Sequence, residues 1–478
     1  ANRCSTNEYF PDEIQYLLRW IWKVKIMPGT MQLPILGPGI DGKSRSVSAQ
    51  KRQNIYLEVK PEKDKTNLAA YGTPGLKPFS YLGAYPVRGM WWYQAQNRLY
   101  AVANKFLYEV YNDGTYTIRG ELLTYQNPVS ISDNGQQLII VDGAYGYIYQ
   151  PTTLALNYTR NGTTVKVTET DTNRIDGDVV EIKVDKSGLG IIPSGTYTVK
   201  NKVLATDLVV GQYYVITSTG TTDFISIGAS SNEPGTAFAA TAVGLGTGYC
   251  SWQNQWKFQT ADWGTDSGTL EVINNFRQIK DQYQAAGFPV ANTVTFLDGY
   301  FIVNKFATKQ FYLSAPYDGF SWDALQFASK EAYTDNLEAV TVDNSNLVLF
   351  GDISLEYWQD VGNFPFPLLR IAGSPTDVGV VAKWSMCRCN SQLMFLGKMR
   401  RGGFSVFAIQ NYQPVPVSTP DLDYVFSQYP TIGDAIAFSY RQNGHEFYQI
   451  NFTEAGESWL YDATTQVWSQ MVSGDDTR

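Results

Sequence analysis

Gly37, four residues, then Gly42-Lys43-Ser44 in "GPGIDGKS" has the spacing of a phosphate-binding loop. Such a loop works only where a buried strand runs into it and a helix starts at the lysine, so that backbone N–H groups and the helix N-terminus cradle the phosphates. The preceding "MQLPIL" is broken by Pro34, and the following "RSVSAQKRQN" has no apolar stripe at helical spacing. The local context therefore favours an ordinary Gly/Pro loop. "GLGTG", Gly244 to Gly248, imitates a dinucleotide loop but also lacks a following helix, and reads as a β-turn. The only histidine, His445, follows Asn443-Gly444, a two-residue hairpin turn. A histidine there has the chemistry of a general base. No serine or cysteine elbow lies in reach, and the expected role is a hydrogen-bonded imidazole ordering the turn. Cys387 and Cys389 would share one face of a strand, where neighbours two apart seldom pair. Without a nearby histidine or second cysteine pair they make a poor zinc site and read as buried thiols.

"SAPYDGFSW", Ser314 to Trp322, resembles the Asp-box turn of sialidase propellers, one residue short between Asp318 and Gly319. In those enzymes the box is a folding element. They also need an arginine cluster and a tyrosine nucleophile, and Arg370, Arg400 and Arg401 form no obvious triad. Arg400-Arg401 reads as a subunit contact or a solvated hairpin tip. No catalytic, cofactor-binding or metal-binding set emerges, and the residues that bind partners stay unassigned. The expected job is structural, not enzymatic.

The elements that would carry these residues are mostly strands. Of 478 residues 14% are aromatic, 41 are glycine and only 17% are charged, which suits short strands joined by tight turns. The four cysteines form no disulfide framework, which points to a reducing compartment. The formal net charge of −8 argues against a generic nucleic-acid binder, which shows a basic face. Ile14 to Ile26, "IQYLLRWIWKVKI", is too short and too charged to span a bilayer. It reads as an amphipathic helix packing on a partner, with a membrane-surface role as the weaker alternative, and no membrane insertion is expected.

Alternating strands bounded by turns dominate after residue 27. Units starting at Asn292, Asn336, Val380 and Ile432 lie roughly 45 residues apart, the period of a four-stranded propeller blade. Stacked sandwiches are the other all-β arrangement. Between Leu154 and Tyr249 the composition shifts: no tryptophan occurs from Tyr93 to Ser251, while Thr, Gly and Val rise. The expected fold is all-β: a β-propeller-like body of repeated antiparallel blades, with inserted small β-domains and a short N-terminal helical or extended segment. The corresponding division is an N-terminal arm over 1–60, a first stretch of propeller over 61–153, inserted β-domains over 154–250 between blades, and the remainder of the propeller over 251–478.

Several segments resemble a known family. "YLEVKPEKDKTNLAAYGTPGL", "LDGYFIVNKFATKQFYLS", "LVLFGDISLEYWQDVGNFPFPLLRIAGSPTDVGVVA" and "GHEFYQINFTEAGESWLYDATTQVWSQ" are similar, in that order, to tail hub proteins of short-tailed bacteriophages (podoviruses), also called packaged DNA stabilisation proteins or tail accessory factors. The resemblance covers about residues 30 to 475. It absorbs the 37–44 loop, which falls in the family's N-terminal region. Residues 1–26 do not look like the family, which begins near Met27, and read as an extra partner-binding segment or an alternative start; the family would continue past Arg478 with another blade's worth of sequence. The resemblance implies a homo-hexameric ring (nozzle) below the portal and its adaptor proteins. That ring extends the DNA channel, retains the packaged genome until ejection and docks tail fibres or tailspikes and a distal tip or needle. Genomic DNA would pass through the lumen without specific binding, helped by the acidic balance. The location implied is the virion tail, after synthesis in the host bacterial cytoplasm. The alternative from a different class is a carbohydrate-binding or glycosidase-like β-propeller, for which paired carboxylates cannot be located from spacing alone.

Overall fold

A computed structural model of the chain describes residues 52–59, 68–73, 75–151, 153–170, 174, 176–184, 192–262, 264–279, 287–400 and 402–472. Residues 1–51, with the phosphate-loop-like motif, Cys4 and the 14–26 stretch, lie outside the described residues.

The body is all-β, as expected: among the described residues it has six antiparallel blades, five of them separate four-stranded sheets and one, blade 2, part of a nine-stranded sheet that continues into the inserted segment. Blade 1 comprises Val87–Tyr93, Arg98–Ala103, Phe106–Val110 and Tyr116–Glu121. Blade 2 starts with Ser130–Asp133, Leu138–Val141 and Gly146–Gln150. Blade 3 starts at Val294–Leu297, blade 4 at Leu337–Asp343, blade 5 at Val378–Cys389 and blade 6 at Ile436–Gln442. The inner hairpins turn where asparagine can take φ > 0: Asn344-Ser345, Asn390-Ser391 and Asn443-Gly444 each place two successive residues in the left-handed region. That is the geometry of a type I′ turn, whose twist matches the strands it joins.

A flat sheet exposes two faces, and each blade hides its faces against the next. Separate apolar cores lie between blades 1 and 2 (Tyr100, Val102, Ile140, Tyr149), 2 and 3 (Ile139, Ile148, Phe301, Val303), and 3 and 4 (Ile302, Leu313, Leu347, Leu349). Two more lie between blades 4 and 5 (Val348, Phe350, Phe395, Phe407) and 5 and 6 (Leu396, Ala408, Tyr448, Ile450). The period-2 alternation explains this: Ile139 faces blade 3 while its neighbour Ile140 faces blade 1. The helix α1, Pro420–Ser427, fills the space between blades 5 and 6 with Leu422 and Phe426. The Thr419 side chain caps it by accepting from the Leu422 N–H, Pro420 opens it, and Asp421 and Asp423 complement its N-terminal dipole.

The inserted segment leaves blade 2 after its third strand and returns as its fourth, so it sits inside a blade rather than between two blades. The returning strand, Thr265–Ile279, is shared. Its Asn275–Ile279 half pairs with Gly146–Gln150 in blade 2, and its Thr265–Val272 half pairs with Leu154–Asn161 in the inserted sheet. One uninterrupted strand thus links the two bodies. A second small sheet, of Lys202–Leu204, Tyr249–Trp252, Tyr213–Ser218 and Ala237–Ala239, has its own core around Tyr214, Phe224 and Phe238.

Candidate functional site

Among the described residues, those singled out above for chemistry have structural occupations. His445 is buried, and its Nδ1 lies 2.7 Å from Asp462 Oδ2. Asp462 also accepts from the Thr464 N–H and the Thr465 hydroxyl, closing the outer turn of blade 6. The imidazole is stacked with Phe447 and meets the Tyr56 ring edge-on at 5.0 Å, so aromatic rings cover it. Burial pushes the Cys250 thiol up to about 12. Burial, with the nearby Glu446 and Asp462 charges, does the same to Cys389. Cys387 rises too, through burial first and Cys389 second. Thiols held protonated are poor nucleophiles and poor ligands.

The Asp318-Gly319 turn is a lock between blades. Gln137 of blade 2 accepts from the Gly319 N–H at 2.7 Å, Asp318 Oδ1 accepts from the Phe320 N–H, and the Trp322 indole donates to the Gly319 carbonyl at 2.7 Å. The 244–248 loop is filled by its own chain: the Gly248 N–H donates to Thr222 Oγ1, and the Gly244 N–H to the Ala205 carbonyl. Arg370 lies 3.7 Å from Glu331, and Arg400 lies 3.7 Å from Asp377 with its guanidinium over the Tyr333 ring. Arg401 is outside the described residues.

The densest polar chemistry is at the junctions. Where the insertion meets blades 2 and 3, Arg174 donates to Glu169 at 2.6 Å and to Asn275 at 3.2 Å, and the Trp256 indole also donates to Glu169. Burial pushes the Glu169 carboxyl up, but the Arg174 and Arg277 charges and these hydrogen bonds outweigh it and hold the group below its usual range. Arg277 sits over the Phe320 ring at 4.0 Å, and burial beside Arg174 pulls its guanidinium down to about 10. At the joint of blades 1 and 2, Arg88 donates to the carbonyls of Asn104, Thr124, Gln126 and Asn127 at 2.6–2.9 Å. At the joint of blades 3 and 4, Lys330 Nζ reaches Asp335 and Ser354. Buried charges held this way fix one arrangement of neighbouring sheets, because any other strands a charge out of water. Sequence reading missed them, since Arg277 looks like one more polar residue on an alternating strand.

The described residues line at least two open clefts. One of about 610 Å³ lies between the outer strand of blade 1 and the insertion, lined by Ile118, Arg119, Glu121, Val179, Phe276 and Arg277. The other, about 530 Å³, lies on blades 3 and 4 and is lined by Asp298, Tyr300, Asp323, Asp360 and Phe364.

These features define a class: a β-propeller in which buried polar groups bridge neighbouring blades. The family model described as "Bacteriophage P22 Gp10, beta-propeller" matches residues 201–478, and the chain belongs to that family of phage structural proteins. No curated protein sequence matches the chain. Among solved structures, the Kluyveromyces lactis Hsv2 with complete loop 6CD is similar at 9% identity, TM-score 0.27, over 82% of this chain and 98% of its own. The dihydro-heme d1 dehydrogenase NirN is similar at 11% identity, TM-score 0.24, over 56% of this chain and 57% of its own. Likenesses this weak carry no argument about fold or function.

Proposed function

We propose that the chain is a subunit of a phage tail hub: a non-enzymatic structural ring, six copies around the DNA channel below the portal and adaptor. It retains packaged DNA and offers docking surfaces to tail fibres or spikes and to a distal tip. The observation that carries this reading is membership of the Gp10 family, in a body whose buried ion pairs and arginine clamps stiffen the blade joints. A conduit wall under the load of a packed genome needs that stiffness. The net charge of −8 suits a wall that lets DNA slide, because like charge lowers affinity. Electron microscopy of the purified chain, and of particles carrying it, tests the proposal. Six-fold rings at the tail vertex support it. A solitary molecule away from the vertex, or tight duplex binding with a steep salt dependence, refutes it.

One observation favours a second reading. The cleft on blades 3 and 4 sets three carboxylates, Asp298, Asp323 and Asp360, beside Tyr300 and the almost fully exposed Phe364. Aromatic and carboxylate side chains together suit a sugar. Glycan-array binding abolished by Phe364→Ala would favour it, and the absence of any glycan signal would remove it.

A further inference from the structure

The inserted sheet carries a row of lysines across its strands. Lys166 on Thr164–Thr168 stands directly opposite Lys257 on Gln255–Gln259. On the other side of Lys257, Lys200 exchanges both backbone hydrogen bonds with it, at 2.6 and 3.2 Å. All three lysines point away from the domain's core, which their chain neighbours Val165, Val167, Val199, Trp256 and Phe258 fill. Adjacent strands lie about 4.8 Å apart, so the three stems span about 10 Å.

This row costs the fold something. Like charges directly opposite each other on a sheet are destabilising. Burial, and after it the Lys166 charge, pulls the Lys257 ammonium below its usual value. Among the described residues no carboxylate forms an ion pair with Lys166, Lys200 or Lys257. Aromatic rings order part of the row. Lys257 Nζ lies 4.8 Å from the centre of the Trp252 ring, and Lys202, two residues past Lys200, lies 4.2 Å from that of Tyr249. A cation over a ring is held in place and keeps its charge.

Neutral polar side chains surround the lysines. Thr159 and Ser267 continue the row on the next two strands. Asn157, Thr164, Thr168 and Gln259 flank it on the same exposed face, where the Gln259 amide donates to the Thr164 hydroxyl at 3.2 Å. Glu271, at the far end of this face, lies 4.0 Å from Lys183.

We propose that this face binds an acidic polysaccharide, with the sugar's anionic groups on the lysine row and its hydroxyls on the flanking threonine, asparagine and glutamine side chains. One unit of a linear polysaccharide is about as long as one strand spacing, so a chain laid across the strands offers successive units to successive lysines. Other anionic partners fit this face less well. A stable protein interface needs buried aromatic or aliphatic anchors, and a membrane surface needs apolar side chains to insert, whereas the outward positions here are Lys, Thr, Asn, Gln and Ser. Duplex DNA would meet a few lysines on a chain of net charge −8.

Isothermal titration of the full chain with polygalacturonate tests this, with dextran as the neutral polysaccharide and duplex DNA and anionic phospholipid vesicles as the other polyanions. Polygalacturonate is expected to bind most tightly and dextran not at all. Its affinity is expected to fall at least tenfold in the Lys166→Gln/Lys257→Gln double variant, and to fall as salt screens the lysines. Phe364→Ala, in the cleft on blades 3 and 4, leaves it unchanged. The double variant relieves the repulsion, so it is expected to melt no lower than wild type; a row with a merely structural role would lower the melting temperature. Assembly of the chain is expected to be the same with and without the two substitutions, so loss of sugar binding is read apart from loss of a ring. No titration signal with polygalacturonate, equal binding of dextran, tighter binding of DNA or vesicles, undiminished affinity in the double variant, or its earlier melting would overturn the proposal.

Discussion

Lys330→Met is the sharpest test of the claim that buried ion pairs hold the blades in register. The Lys330 side chain is 0% exposed and that of its partner Asp335 is 6% exposed. Asp335 further accepts from the Ile353 N–H at 3.0 Å and the Ser354 hydroxyl at 2.9 Å, so one carboxylate ties the end of blade 3 to the second turn of blade 4. Methionine fills much the same volume but leaves the carboxylate buried without its cation. Removing one partner of such a pair costs about 3–5 kcal/mol. At about 1.36 kcal/mol per decade, that is two to nearly four decades in the local opening equilibrium. Native-state hydrogen exchange at Gly351, Ile353 and Leu337 reads it directly. Adding Asp335→Asn to Lys330→Met removes the stranded charge, and the double variant is expected to recover most of the loss. pH supplies a sign. Burial pushes the Asp335 carboxyl up, but the Lys330 ammonium and the hydrogen bonds from Ile353 and Ser354 outweigh it and hold the group below its usual range. A carboxyl depressed in the folded state contributes stability above its unfolded value, about 3.9, and loses it as pH falls through the folded value. The gap between wild type and Lys330→Met is therefore widest near neutrality and narrows below about pH 4. A loss under about 1 kcal/mol, or strict additivity in the double variant, would refute the reasoning.

Other outcomes follow from the same joints. His445→Ala leaves Asp462 without its imidazole and uncovers Tyr56, and is expected to cost about 1–3 kcal/mol in the unfolding of blade 6, read by denaturant titration. Gly120→Val places a Cβ 2.2 Å from the Phe276 ring, where blade 1 meets the shared strand. Overpacking there is expected to destabilise by about 1–3 kcal/mol, measured as a lower melting temperature, with partial rescue by Phe276→Leu.

The blades were legible because their signal is local. Units read from turn and alternation at Asn292, Asn336, Val380 and Ile432 begin within a few residues of the innermost strands at Val294, Leu337, Val378 and Ile436. The Asn443-Gly444 turn was equally plain, since left-handed φ selects those residues. The point of insertion was not. Gln150 and Asn275 are neighbours across blade 2 but 125 residues apart, and nothing near either one announces the pairing. The Asp318-Gly319 turn was visible as a turn, while its function as a lock depends on Gln137, 182 residues from Gly319. Nothing local in the sequence marks Arg174 and Arg277 as buried, because partners distant in sequence, Asn275 for one and Phe320 for the other, enclose them.

The most direct measurement is the DNA content of particles assembled in a host when the gene for this chain is disrupted, compared with particles complemented by the intact chain. Heads that fill and then lose their genome, with retention restored by the chain, are what a packaged-DNA-stabilising hub requires. Particles that keep their DNA without the chain, at the level of the complemented ones, would contradict it.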